Sequence, residues 1–301
     1  MIVSKCPLRV SLAGGSTDLL EFVEKYGMGS VISFPIDLYT YIFLSYNTNN
    51  VYRINYSKTE EVDNIDDIKN DVAREVLRYF DLPPVTAVFT SDISTTGSGL
   101  ASSSSYTIAL VAAVNKLLNL NLSQFEICKT SLSIEHKFNP LTGYQDLYGC
   151  GIGGLKRLFF YSDRTVSKTL KSSVFTNINM YLVNTGTIRN SNKILSSVDF
   201  RKANKLLKFV DEMADNIDDK EVVYKILNDA WHNKKKISPL ILNDKIKLLD
   251  DRLFNDGRIK ARKLCGAGGG GYFLILSEEQ IDDDDFLKFE IDNSGVYVGE
   301  F

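Results

Sequence analysis

The order of elements along these 301 residues predicts an α+β protein: a strand-rich first half, a helix-rich second half, and a weak seam near 163–173. Strand-like alternation and aromatic or β-branched runs crowd the first third, whereas apolar residues three and four apart dominate the last. With 44 % hydrophobic and 24 % charged residues, the chain has ordinary globular composition, long enough for one large domain or two modest ones. A formal charge of −3 lacks the basic footprint of a nucleic-acid binder. No apolar run approaches the ~20 residues that span a bilayer, and the opening Met1-Ile2-Val3-Ser4-Lys5-Cys6-Pro7 has no secretory apolar core. The four cysteines (Cys6, Cys128, Cys150, Cys265) and two histidines (His136, His232) are dispersed. That pattern argues against a zinc site or disulfide framework and for a cytoplasmic protein.

Leu8, Val10 and Leu12 alternate with Arg9 and Ser11 as a strand; 39–46 and 51–56 read as further strands. A helix is expected from about Asp66, striped by Ile68, Val72, Val76 and Tyr79 and broken at Pro83-Pro84. After a strand at 85–90, a Gly/Ser loop runs into the apolar stretch 108–118, giving strand, loop, buried helix. Ser123 and Glu126 form a capping box for the next helix, whose stripe Phe125, Cys128, Leu132 leads to Glu135. The glycine-rich 143–154 is expected as a loop, followed by strands at 158–161 and 181–183. Helical stripes follow at Leu206, Val210, Met213 and at Val222, Val223, Ile226, Leu227; Trp231 continues the second as packing. Glycines at 266–271 feed a strand at 272–276, and 282–285 is a solvated acidic loop.

Most of the 20 glycines fall in four places: Gly14-Gly15, Gly97 with Gly99, 143–154 and 266–271. Such clustering suggests backbone brought close to a ligand rather than scattered turns. A Gly/Ser loop opening a helix offers N–H groups and a helix dipole to phosphate oxygens. It is not a P-loop, since the next lysine is Lys116, well inside the helix. The 266–271 run satisfies G-x-G-x-x-G, but a strand rather than a helix follows it, which rejects a dinucleotide fold. Glu135 beside an apolar face needs a cation to offset its burial, and Asp146 lies within the 143–154 segment. Taken alone, either acid reads more readily as a salt-bridge partner than as a catalytic group. Neither histidine stands in a triad-like pattern.

Three motifs together resemble the GHMP kinases, the superfamily of galactokinase, homoserine kinase and mevalonate kinase. They are Pro7-Leu8-Arg9-Val10-Ser11-Leu12-Ala13-Gly14-Gly15-Ser16-Thr17-Asp18, Gly97-Ser98-Gly99-Leu100-Ala101-Ser102-Ser103-Ser104, and Lys263-Leu264-Cys265-Gly266-Ala267-Gly268-Gly269-Gly270-Gly271. The form of the first motif, Gln145-Asp146-Leu147-Tyr148 and the 231–238 segment are most similar to the D-glycero-D-manno-heptose 7-phosphate kinase and fucokinase branch. The resemblance implies a two-domain α+β fold, with a ribosomal-protein-like, ATP-binding N-terminal domain at 1–165 and a ferredoxin-like C-terminal domain at 166–301. It implies ATP as co-substrate, Mg²⁺ held by Ser103 and Glu135, and phosphate bound by the second motif. It further implies Asp146 as catalytic acid–base, Arg9 beside it, and a substrate site at Gly14, Gly15, Ser16, Thr17, Asp18, Tyr148, Gly268 and Gly269. The partners would be a sugar or sugar phosphate and ATP, with no nucleic acid or membrane, in a monomer or homodimer. Two departures stand out: Ala101 replaces a glycine usual before the serines, and little chain follows the third motif, so the final strands are expected to be abbreviated.

The expected reaction is phosphoryl transfer to the anomeric C1 hydroxyl of a sugar, foremost the heptose 7-phosphate, for nucleotide-sugar and surface-polysaccharide synthesis. A neutral fucose- or galactose-like sugar and a catalytically silent sugar and ATP sensor remain the alternatives.

Overall fold

In this computed structural model the chain is described over residues 1–94, 97–187 and 191–300. It opens with β1 (Ile2–Ala13), α1 (Leu20–Tyr26), β2 (Gly29–Tyr46), β3 (Tyr52–Asn55), β4 (Thr59–Val62) and α2 (Asp71–Tyr79). Next come β5 (Val85–Ser91), α3 (Ser102–Leu117), α4 (Gln124–Phe138), α5 (Tyr144–Gly151), β6 (Lys156–Phe160) and β7 (Thr165–Thr169). The second half adds β8 (Asn179–Asn184), α6 (Ser191–Leu195), α7 (Phe200–Asn204), α8 (Leu207–Asp215), α9 (Lys220–Lys234) and α10 (Asp244–Asn255). It finishes with β9 (Ile259–Leu264), β10 (Tyr272–Ser277), β11 (Phe286–Phe289) and β12 (Tyr297–Glu300).

The first sheet runs β12-β1-β2-β5-β3-β4, with β6 and β7 added beside the first part of β2. The second runs β11-β8-β10-β9, all antiparallel. Numbered within itself that order is 4-1-3-2, the ferredoxin-like arrangement expected of the second half. A loop at 278–285, not a helix, makes its last crossover. The acidic residues 282–285 lie exposed on that loop.

The hydrogen bonding of the first sheet crosses the division expected at 165/166. Strand β7 pairs with β6 through the region read as a seam, and β12 returns from the far end to lie against β1. The two halves also share one core, in which Leu8, Val10, Leu12 and Phe34 meet Val210, Leu227, Trp231 and Phe273.

An irregularity between Pro7 and Leu8 sets the orientation of the first strand. A proline donates no ladder hydrogen bond and belongs where the ladder is interrupted. Before it, Ile2 and Cys6 face the layer of α3, and the Ser4 hydroxyl donates to Ala109 O at 2.6 Å. Beyond it the alternation inverts: Leu8, Val10 and Leu12 enter the shared core, and Arg9 turns toward α5. Helix α3 can wedge beneath the sheet because 107–114 is buried all round and built largely of small or branched side chains.

The 143–154 segment, expected as a loop, is helix α5 over 144–151, with Gly143 in extended N-cap geometry. Its other end is held by Lys156, 1 % exposed, whose Nζ donates to the carbonyls of Gly149 (3.3 Å), Ile152 (2.5 Å) and Gly154 (3.2 Å). One ammonium thus satisfies carbonyls that a helix end leaves without partners. Burial pushes its pKa down to about 7. Lys156→Met should strand those carbonyls and cost on the order of 2–5 kcal/mol, read as a lower urea midpoint with unchanged slope.

Candidate active site

The loop before α3 is shaped from both sides. Gly97 and Gly99 have φ of 68° and 79°, and the Ser98 hydroxyl receives Leu100 N–H at 3.2 Å and lies 2.8 Å from the Ser102 hydroxyl. Arg9 N–H donates to Leu100 O at 3.1 Å, so the stretch of β1 just beyond the Pro7 irregularity grips this loop. From the other side Tyr272 N–H donates to Ser98 O at 3.1 Å, and a Cβ on Gly271 would stand 2.2 Å from that same oxygen. The glycine cluster at 266–271 is therefore a backbone buttress for the one at 97–99.

Arg9, 2 % exposed, donates from Nε (3.1 Å) and Nη2 (2.6 Å) to Asp146 Oδ1, and from Nη1 to Gly99 O at 2.8 Å. Asp146 sits in the first turn of α5, where the helix dipole favours a carboxylate. Asp18 lies across from it, 1 % exposed, accepting from Ser16 N–H (3.0 Å) and Gln145 Nε2 (2.9 Å). Burial, then the charge of Asp146, pushes Asp18 up to about 6. Glu135 on α4 is 1 % exposed; Oε1 accepts from the Thr142 hydroxyl at 3.2 Å, and Oε2 is buried without a hydrogen-bond partner. Burial pushes it to about 7, against nearby hydroxyls of Ser104 and Ser103.

These groups line one cavity of about 200 Å³ between the halves. Of the expected residues, Arg9, Ser16, Asp18, Gly97, Ser98, Gly99, Ala101, Ser102, Ser103, Ser104, Glu135 and Asp146 line it. Leu100 does not, being a core side chain. Gly14 and Thr17 make the turn beneath, the Thr17 hydroxyl donating to the carbonyls of Gly14 (2.7 Å) and Ser30 (3.0 Å). Tyr148 is corrected: its ring is buried against Phe125, centroids 4.9 Å apart, because it leaves α5 toward the α4 side. Gly268 and Gly269 are corrected too. They pack on Ile241, Gly269 N–H donating to Ile241 O at 2.9 Å, while Gly266 and Ala267 form the wall.

Residues 67–154 match the GHMP kinases N terminal domain family. Over 297 aligned residues the chain is 27 % identical to D-glycero-alpha-D-manno-heptose 7-phosphate kinase of Campylobacter jejuni, covering 89 % of this chain and 86 % of that protein. The chain is therefore similar to GHMP kinases along most of its length. A galactokinase of Pyrococcus furiosus is 27 % identical over 176 residues, 55 % of this chain and 48 % of that one. Among solved structures, a D-glycero-D-manno-heptose 1-phosphate kinase from Bacteroides thetaiotaomicron superposes with TM-score 0.80 at 20 % identity, covering 100 % of this chain and 99 % of that one. Streptococcus pneumoniae phosphomevalonate kinase, solved with phosphomevalonate and AMPPNP, gives 0.76 at 16 % identity over 93 % of each chain. The chain is a phosphotransferase with an alcohol acceptor.

Sequence reasoning missed two lysines at this cavity, Lys234 on α9 and, behind it, Lys263 on β9, each at most 3 % exposed. Both carried a signal. Lys234 is the next step of the apolar stripe Val223, Ile226, Leu227, Ala230, Trp231, and Lys263 takes a buried position in a strand. A charge on a buried face marks a group with a partner, the argument already applied to Glu135. Gln145 and Thr142 were missed as well, and no pattern in the sequence distinguishes them.

Ala101 caps α3 at φ 64°, ψ 41°, a left-handed conformation costing an L-residue about 1–2 kcal/mol. Ala101→Gly should relieve that strain, less about 0.4–1 kcal/mol for the freer unfolded chain. The expected net gain of up to about 1 kcal/mol is measurable by denaturation. Glu135 makes a pH-dependent prediction. Its folded pKa is raised, so its contribution to stability is complete below about 4.5 and is lost as pH rises through about 7. Without ligands, Glu135→Gln should therefore exceed the parent in stability at pH 8 by on the order of 1–3 kcal/mol, and the gap should close by pH 5.

Proposed function

We propose that this enzyme transfers the γ-phosphate of ATP to the anomeric C1 hydroxyl of a sugar, with D-glycero-D-manno-heptose 7-phosphate as the acceptor. The observation that carries the reading is the Arg9–Asp146 pair on the cavity wall, facing a loop of backbone donors at the start of α3. Similarity to the Campylobacter heptose kinase over most of both chains supports the acceptor.

Each group then has a role. The 97–104 loop and the N-terminal turn of α3 receive phosphate oxygens. Arg9 contacts only Oδ1 of Asp146, so Oδ2 remains to orient the acceptor hydroxyl and take its proton. The guanidinium also stabilises charge on the transferring group. Asp18, steadied by Gln145, binds sugar hydroxyls. The partnerless Glu135 Oε2, with Ser103 and Ser104 nearby, suits a Mg²⁺ ion; Glu135 and Ser103 would hold it, and it would neutralise phosphate charge. Among the described residues no three acidic, Cys or His side chains form a metal cluster, so phosphate and water would complete the shell. Positioning and charge neutralisation account for most of the rate enhancement in such transfers.

ADP release over a panel of sugars and sugar phosphates tests the reading. Heptose 7-phosphate should be preferred; a preference for galactose or fucose would move the assignment to the neutral-sugar branch, and ATP binding without turnover to a sensor. Asp146→Asn should lower kcat about 10²- to 10⁴-fold while ATP affinity survives, as checked by single-turnover kinetics and nucleotide titration. Near-normal kcat in that variant would remove Asp146 from the chemistry.

A further inference from the structure

Among the described residues that the second half contributes to the cavity wall, Lys234 is the charged one. Lys234, in the last turn of α9 and 3 % exposed, places Nζ 2.5 Å from Gly266 O and lines the cavity. The same ammonium lies 3.3 Å from where a Cβ on Gly15 would stand, with Gln145 Nε2 3.9 Å from that point. Gln145 donates in turn to Asp18 at 2.9 Å. Lys234 thus belongs to the Asp18 and Gln145 side of the cavity, where the acceptor is placed. Behind it Lys263, 2 % exposed, donates to two neutral acceptors of one residue, Ser11 O at 2.5 Å and Ser11 Oγ at 3.4 Å. Burial, with repulsion from Lys234 and Arg9, pushes the Lys263 pKa well below its ordinary value. Lys234 and Lys263 repel one another behind a buried wall, and a bound anion relieves the cost of placing them there.

We propose that Lys234, backed by Lys263, is the ligand for an anionic group the acceptor already carries, a phosphate ester, and sets the preference for a sugar phosphate over a neutral sugar. This rests on the sugar-kinase reading above and names the residue responsible for its acceptor specificity. The transferring phosphoryl group has its own set of donors in the 97–104 loop and Arg9. An ammonium on the acceptor side adds what those cannot, a point charge for a second phosphate. A contact made by a side chain as buried as Lys234 is stronger than one at a surface. Binding energy gained there can also hold C1 in line with the γ-phosphate.

Lys234→Met keeps the stem and removes the charge. With D-glycero-D-manno-heptose 7-phosphate, kcat/KM should fall about 30- to 1,000-fold, chiefly through KM. With the unphosphorylated heptose it should change by less than about threefold, and Lys234→Arg should recover part of the loss. Inorganic phosphate should compete with the sugar phosphate in the parent enzyme and raise its melting temperature. Neither effect should survive in Lys234→Met. Equal losses on both acceptors, or a fall in kcat alone, would place Lys234 on the transferring group and overturn the proposal, as would no loss at all. If the variant does not fold, the parent enzyme decides: phosphate that does not compete with the acceptor sinks the idea. A parent enzyme that turns over no sugar yet is stabilised by phosphate through Lys234 would instead overturn the sugar-kinase reading and leave the anion site standing.

Discussion

Arg9 is the pin on which the cavity turns. One guanidinium joins β1 to the first turn of α5 through Asp146 and to the phosphate-type loop through Gly99 O, while its own N–H holds Leu100 O. A buried ion pair of this kind contributes little net stability, because desolvation offsets most of the attraction. Losing one partner would strand a buried charge, however, so the pair specifies geometry more than it stabilises the fold. Its position is set upstream by Pro7, where the strand inverts and sends Arg9 toward the helices.

Around that pin the cavity separates its charges by origin. The first half supplies carboxylates: Asp18, Glu135 and Asp146. The second supplies ammonium groups, Lys234 in the wall and Lys263 behind it. Two of the acids are held toward neutrality by burial, at about 6 and about 7. Ligands with both phosphates and hydroxyls answer both sets at once, which is why such a cavity suits bisubstrate chemistry.

The legible parts were those in which local pattern and global role agree. Alternation gave β1, the Ser123–Glu126 capping box marked α4, and the 97–105 run announced the loop and helix that follow it. Helix α5 was hidden because glycine disfavours helices. Gly151 is required there by packing alone, since a Cβ would meet Cys128 Sγ at 2.2 Å, and that neighbour is 23 positions away in sequence. The short strands β4, β7 and β12 were missed for a related reason: each takes its definition from the strand it pairs with rather than from its own pattern. Tyr148, Gly268 and Gly269 show the limit of carrying roles by motif. Motif membership places a residue near a site, but only the helix face or loop path decides whether it reaches the cavity.

The return of β12 to β1 has a consequence for how the molecule assembles. Residues 297–300 pair with 2–5, closing a loop of nearly the whole chain. Loop closure of that span is entropically expensive and comes late, after β1 and β2 have formed their own ladder. During synthesis the outer edge of β1 is therefore open until the last strand has been made, and it is a natural landing place for a chaperone or for an errant strand of another copy.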